Sequence, residues 1–359
     1  IKARVDYLPQ SILEALPQLL FYNLALVVKK PRAYLRAILV AFRRFLRTHK
    51  SATIKHLLQA GYLVQKLLPK SRVVHFHAHF AHSPSSVAMF ASQLSGVDFS
   101  FTGHAKDIYT SNPLQLKEKM AKARFVVTCT EFNRRHLSTL SGNGGVPLYR
   151  MYHGIDLGLF SGVEERRHPT MPYHFLTVAR LVPKKGLPTV YRALERLKNK
   201  GIDFQHTLIG DGDDRDKLLA LIHDLGLSGS CRWVGTLTHE GVLDYYRRSD
   251  LFALGCEQAA NGDQDGIPNV FVECLATGLP VVGTRLSAIP ELIEDGKTGL
   301  LVQPGNDREM ARAMLRILTD THLREQIIRS GKEKVRQAFN NRNLIENLFS
   351  IYRKEVPEL

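Results

Sequence analysis

From residue 72 onward, short β-rich runs alternate with helical runs almost to the end of the chain, and this alternation constrains the fold more than any other feature. Strands separated by helices build βαβ units around parallel sheets, with helices packed on the sheet faces. Four strands are predicted first, over residues 73–77, 98–102, 125–128 and 148–151. Six more follow, over 173–179, 204–209, 231–234, 251–254, 280–284 and 300–302. Between the two sets, Gly154, Gly158, Gly162, Pro169 and Pro172 give the composition of a linker. A chain of 359 residues exceeds the size at which one hydrophobic core stops growing. The expected organisation is a first α/β domain over residues 1–152, a linker over 153–172, a doubly wound domain over 173–340, and a helix over 341–359 packing back toward the first domain. Two such domains facing each other would leave a cleft at the carboxyl ends of their strands, where ligands bind in open α/β sheets. The first set has no Gly-rich turn near its start, so the first domain is expected to be truncated there.

The four cysteines, Cys129, Cys231, Cys256 and Cys274, stand far apart with no CxxC pair, which excludes a disulfide framework or zinc knuckle and fits a reducing compartment. The apolar stretch 16–28 is short and interrupted by Pro17, Gln18 and Asn23, so no membrane-spanning segment is expected.

Charge is distributed unevenly. The formal net charge is +15, and between Glu14 and Asp98 there are twelve bases and no acid. Within that interval Leu35, Ile38, Leu39, Phe42, Phe45 and Leu46 recur at the spacing of one helical face, with Arg36, Arg43, Arg47 and Lys50 on another. Residues 32–49 therefore read as a basic amphipathic helix. Its apolar stripe either packs on the domain, the commoner use of such a stripe, or lies on an anionic membrane surface. Nucleic acid is not expected as a partner, since no zinc-finger, RRM or KH signature accompanies the bases.

The strongest chemical signal is the run Asp265, Gly266, Ile267, Pro268, Asn269, Val270 and, farther on, Glu273. A glycine loop running into a proline suited to the first helical position leaves the following amides free for an anion. Glu273, about a turn inside that helix, can accept both hydroxyls of a ribose. Alone, the loop reads equally as a helix cap with an exposed acid. It is joined by Arg180 and Lys185 at the end of the strand over 173–179, cations that can clamp a diphosphate. Gly210 and Gly212 end the next strand in a small-residue turn that lets a nucleobase approach the backbone.

With these residues in place, the chain resembles the retaining, nucleotide-sugar-dependent glycosyltransferases of family 4, whose two Rossmann-like domains form the arrangement called GT-B. The resemblance covers about residue 73 to the C-terminus and is carried most specifically by residues 265–303. It implies that Arg180 and Lys185 bind the donor diphosphate. It implies that Glu273, the second acid of the family's E-x7-E motif, binds the ribose. Asp265 stands where the family has its first glutamate, one methylene longer, which contacts hydroxyls of the donor sugar. Residues 75–82 and 101–109 resemble a subgroup that builds bacterial exopolysaccharides, colanic-acid-type transferases among them, and the family's cleft histidine falls on His104. By chemistry alone a histidine there can donate to a sugar hydroxyl or a leaving phosphate, or serve as a structural residue.

The function these readings lead to is transfer of a hexose, with retention, from a nucleoside diphosphate sugar to a lipid-linked glycan. No metal or other cofactor is expected, and the place of work is the cytoplasmic face of the cell membrane. Two alternatives come from different classes. His75, His77 and His79 alternate along one strand face and suggest a zinc hydrolase, although no carboxylate follows them before Asp98. A non-catalytic nucleotide-binding or scaffolding protein is the other.

Overall fold

The computed structural model describes residues 4–70, 72–142, 145–160 and 168–358. Gly162 of the expected linker lies outside them. Contacts divide the chain into one unit of Ile1–Cys129, Asn133–Met151 and Leu348–Leu359, and a second of Thr130–Phe132 and Tyr152–Asn347.

The first unit opens with three helices, α1 (Ile12–Lys29), α2 (Pro31–Thr48) and α3 (Ala52–Tyr62). Then β1 (Phe76–His79), α4 (Ser83–Ser95), β2 (Phe99–Gly103), α5 (Ala105–Tyr109), α6 (Pro113–Lys122), β3 (Val126–Thr128) and β4 (Leu148–Arg150) complete its sheet, with a further helix over Glu131–Ser141. The four strands lie in the order β1-β2-β3-β4, all parallel. Phe90 of α4 and Phe99 and Phe101 of β2 fill its core with almost no exposure, each contributing about 2–3 kcal/mol of transfer free energy. The first strand begins three residues later than the β-branched pair Val73 and Val74 suggested. The ladder pairs Phe76 with Phe99, and Val74 is left exposed.

For the opening helices one expectation is corrected and one open alternative is narrowed. α1 runs for 18 residues and, by length and composition alone, is long and apolar enough to cross a membrane, which the interruptions at Pro17, Gln18 and Asn23 had argued against. Its inner face nonetheless packs into the unit through Leu19, Asn23 and Leu26. Asn23 Nδ2 donates to the Leu58 carbonyl at 3.0 Å, and Tyr34 Oη donates to Asn23 Oδ1 at 2.9 Å, tying α1 to both neighbours. Gly61 is required there, because a Cβ on it would sit 1.9 Å from Asn23 Oδ1. In α2 the packed face is not the apolar stripe. Tyr34, Ala37, Ala41 and Arg44 turn inward, and Leu35, Ile38, Leu39, Phe42 and Leu46 are exposed. Two alanines let the helix approach α4 closely. Arg44 is held by Ser86 Oγ and Gln115 Oε1 and faces Glu118 at 3.6 Å.

The second unit contains β5 (Tyr173–Val178), β6 (Phe204–Ile209), β7 (Cys231–Trp233), β8 (Leu251–Ala253), β9 (Val281–Thr284) and β10 (Leu300–Val302). They are parallel, in the order β10-β9-β8-β5-β6-β7. This is the doubly wound order in which the chain reverses direction between its first and fourth strands, here β5 and β8. All ten predicted strands are present, each bound within three residues of its expected limits.

Histidines pushed down by burial, His206 and His56 among them, make the folded chain sensitive to acid. His206 is fully buried on β6, with Nε2 3.1 Å from Thr177 Oγ1, and burial pushes it down to about 3. Burial, reinforced by the charges of Lys119, Arg44 and Lys55, pushes His56 down to about 4. Each is neutral when folded and regains its ordinary value near 6.5 when unfolded, so the unfolded chain binds more protons. Stability is therefore present above about pH 6.5 and is lost as the pH falls toward 4. Between pH 7 and pH 5 the expected loss is about 2 kcal/mol per histidine, read from urea unfolding, and His206→Gln should shrink the loss. Equal stability at the two pH values would contradict it.

Candidate active site

In an open α/β sheet the crevice lies beyond the carboxyl ends of the strands at the reversal point. The second unit has a cavity of about 470 Å³ there, lined by residues that follow β5, β6 and β7 and by the loop 265–270. Of the residues singled out in the sequence, Arg180, Lys185, Gly210, Asp265, Ile267, Pro268, Asn269 and Val270 line it together. Gly212, Gly266 and Glu273 are not among its lining residues. His104 belongs to the first unit.

The two glycines after β6 answer a constraint of the backbone itself. A Cβ on Gly210, at φ +127°, would lie 1.9 Å from the Ala179 carbonyl oxygen, and one on Gly212 would lie 2.5 Å from that of Leu181. Strand ends β5 and β6 approach so closely that only glycine fits, and the cavity floor is bare peptide as a result. Trp233 Nε1 donates to the Gly210 carbonyl at 2.8 Å and fixes that floor from behind.

The loop 263–268 is held by an ion network that links it to the turn after β5. Lys185 Nζ lies 2.5 Å from Asp265 Oδ2, and Lys184 Nζ bridges Asp263 Oδ1 at 3.0 Å and Asp265 Oδ1 at 3.2 Å. Burial acts to raise the Asp265 carboxyl, but the charges and hydrogen bonds of Lys185 and Lys184 outweigh it and hold Asp265 below the usual carboxylate range. Gly186 permits this turn: at φ +55°, its Cβ would lie 1.8 Å from the Gly255 carbonyl oxygen. Arg180 is exposed at the cavity and, among the described residues, is paired with no carboxylate. A cation in that state is ready for an incoming anion.

The helix Asn269–Ala276 starts one residue later than the proline suggested, with Pro268 as its N-cap. No acidic residue stands in its first turn, so its first amides and the positive end of its dipole meet no competing carboxylate from the helix itself. Glu273, a turn farther on, accepts from Tyr246 Oη at 2.7 Å through Oε2. That bond fixes the carboxylate and leaves Oε1 to other donors. Lys184, Asp263 and Tyr246 were not found from sequence. The adjacent lysines matched by acids at 263 and 265 were a signal for the first two, and nothing in the sequence signalled Tyr246.

In the first unit, His104 follows β2 as the N-cap residue of α5. Its ring packs against those of His79, at 5.0 Å between centroids, and Phe80, at 4.8 Å. Asp107 accepts from the amides of His104, at 3.0 Å, and Ala81, while Lys119 Nζ donates to the carbonyls of Ala81 and His82 at 2.5 and 2.8 Å. Burial, with the nearby Arg44 charge, pushes Lys119 down to about 7. The loop 80–82 is thus gripped by a buried acid and a buried amine.

The hydrolase alternative finds no support in this unit. His75 Nε2 and His77 Nδ1 both lie 2.7 Å from Ser100 Oγ, and His77 Nε2 lies 2.8 Å from Thr102 Oγ1. Both rings pack against Phe125 and Tyr352. His77 has both nitrogens committed to hydroxyls, and the three histidines form no group of converging ligand atoms.

Residues 163–334, which include the cavity, match the family described as Glycosyl transferases group 1. Over those residues the chain is similar to the group 1 glycosyl transferases. The chain resembles a protein named as a colanic acid biosynthesis glycosyltransferase, WcaL of Salmonella typhimurium, at 36% identity over 202 residues, 55% of this chain and 49% of that protein. It also resembles the amylovoran biosynthesis glycosyltransferase AmsK of Erwinia amylovora, at 35% identity over 183 residues, 51% of this chain and 45% of that protein. The chain spans about half the length of the curated relatives it matches. Among solved structures, Anabaena Alr3699/HepE in complex with UDP and glucose is similar with a TM-score of 0.67 at 19% identity, covering 82% of this chain and 80% of that one. The fold is GT-B, built on two parallel α/β sheets, as the resemblance implied.

Proposed function

We propose that the protein is a retaining family 4 hexosyltransferase of cell-surface polysaccharide synthesis, using a nucleoside diphosphate sugar and a lipid-linked glycan acceptor. The observation that carries this reading is the cavity at the strand reversal, where Arg180, Lys185 and the amides after Pro268 meet in a segment similar to the group 1 glycosyl transferases. The names of WcaL and AmsK support the polysaccharide class, and the UDP in the HepE structure supports a nucleotide donor.

In this mechanism the bond between the anomeric carbon and the diphosphate oxygen breaks, and negative charge builds on the leaving diphosphate. Arg180, Lys185 and the helix amides stabilise that charge without a metal, which is where electrostatic preorganisation is most effective. Glu273 takes the ribose hydroxyls, and Gly210 and Gly212 admit the base. Asp265 holds Lys185 in place, and turns to the sugar hydroxyls when the donor's phosphates take up the lysine. His104 keeps the role the resemblance implies, a hydrogen-bond donor to a sugar hydroxyl or the leaving phosphate. The departing phosphate accepts the proton of the acceptor hydroxyl as the new glycosidic bond forms on the same face. The basic segment 29–72 holds the protein on the cytoplasmic face of an anionic membrane, where a lipid-linked acceptor resides.

The test is release of nucleoside diphosphate from a panel of UDP-, GDP- and dTDP-hexoses in the presence of lipid-linked oligosaccharide acceptors. One donor class should turn over in an acceptor-dependent manner, giving an α-linked product from an α-linked donor. Tight nucleotide binding with no turnover on any donor would replace this reading with the non-catalytic one.

A further inference from the structure

The helix that carries the basic segment turns its apolar side away from the protein. Leu35, Ile38, Leu39, Phe42 and Leu46 of α2 are 44 to 58% exposed, although each is a residue type that ordinarily drives burial. At 100° per residue they occupy one arc of about 100°, and Arg32, Arg36, Arg43 and Arg47 fall in an adjoining arc of about 60°, while Lys50, beyond the left-handed cap at His49, lies outside the helix. All four of those helical bases are exposed as well. The opposite side of α2 already has its partner, since Tyr34, Ala37, Ala41 and Arg44 are buried in the unit. The exposed face is therefore surplus to folding. Preceding it in the chain, α1 exposes Leu13, Phe21, Leu24 and Val28 at 64 to 84% while its inner face packs inside.

We infer that α2 is an interfacial helix: its apolar stripe enters the acyl boundary of an anionic bilayer while Arg32, Arg36 and Arg43 lie among the lipid phosphates. The charge pattern selects this occupant. No acid lies between Glu14 and Asp98 to repel an anionic surface, and the only acid that meets the exposed bases of α2 among the described residues is Glu118, which pairs with Arg47 at 2.7 Å. An apolar stripe bordered by bases, on a helix whose other side is docked, meets the two requirements of in-plane binding at once. The inference rests on the membrane reading above and deepens it, because adsorption by charge alone would leave the stripe in water. Insertion also fixes an orientation, since the side of α2 that packs on the unit must then face away from the lipid.

The experiment uses vesicles of phosphatidylcholine with phosphatidylglycerol, and of phosphatidylcholine alone, with three forms of the whole chain. These are the parent, Leu39→Ser/Phe42→Ser/Leu46→Ser, and Phe42→Trp. Every changed side chain is already exposed, so the fold should persist, as circular dichroism would verify. The parent should bind the anionic vesicles and remain bound when salt is then raised to 0.5 M. The triple serine variant should partition at least about tenfold more weakly. The indole introduced by Phe42→Trp should shift to the blue and be quenched by spin-labelled acyl chains. Parent-like binding of the serine variant, or an indole left unquenched on bound vesicles, would overturn insertion while adsorption by charge survives. Failure of the parent to bind anionic vesicles even at low salt would overturn the membrane reading itself. A dimer in solution that shields the introduced indole without lipid would assign the face to a second copy instead.

Discussion

Replacing Arg180 and Lys185 together by alanine should lower kcat/KM for the donor by about three orders of magnitude, the largest effect expected of any pair outside the core. Each charge-assisted contact to a leaving phosphate contributes about 1.5–3 kcal/mol, or roughly ten- to hundredfold singly. The fold should survive. Arg180 is exposed, and when Lys185 is removed Asp265 keeps Lys184 at 3.2 Å, so no buried carboxylate is orphaned. Steady-state kinetics of each single variant and of the pair, with thermal melts as control, would check this. Unchanged kcat/KM in a folded double variant would remove the diphosphate clamp from the mechanism.

Glu273→Gln should weaken nucleoside diphosphate binding by about 1.5–3 kcal/mol, since a neutral amide replaces the carboxylate proposed to accept from two ribose hydroxyls. Tyr246→Phe should act in the same direction and less strongly. It removes the hydroxyl that fixes Glu273 at 2.7 Å, yet leaves the charge in place. Calorimetric titration with a nucleoside diphosphate and with its 2′,3′-dideoxy analogue separates the roles. Parent protein should lose affinity for the dideoxy form, whereas Glu273→Gln should bind both alike. A Glu273→Gln protein that still discriminates between them would place the ribose elsewhere.

The strands were legible because a parallel sheet buried on both faces demands continuous β-branched and aromatic runs, and the linkers around them demand glycine and proline. The residues that line the cavity were legible for a related reason. Arg180, Lys185 and Pro268 stand immediately after strands or at a helix start, positions that the topology alone assigns to one end of the sheet. What could not be read is pairing between distant segments. Lys184 meets Asp263 across 79 residues and Tyr246 meets Glu273 across 27, and neither contact leaves a periodic trace. Helix α2 shows a different limit. Periodicity reveals that Leu35, Ile38, Leu39, Phe42 and Leu46 share a face, but the side that packs is decided by close approach at Ala37 and Ala41 and by the bonds of Tyr34 and Arg44. Small residues carry little hydrophobic signal, so periodicity does not mark the face they form.

The central claim is that the cavity after β5, β6 and β7 holds a nucleoside diphosphate in one orientation, and a crystal structure with that ligand bound measures it directly. The account predicts phosphate oxygens within hydrogen-bond distance of Arg180, Lys185 and the amides that follow Pro268, the ribose hydroxyls on Glu273, and the base against Gly210. Nucleotide bound outside this cavity, or bound within it with the ribose turned away from Glu273 and the phosphates away from Arg180, would contradict it.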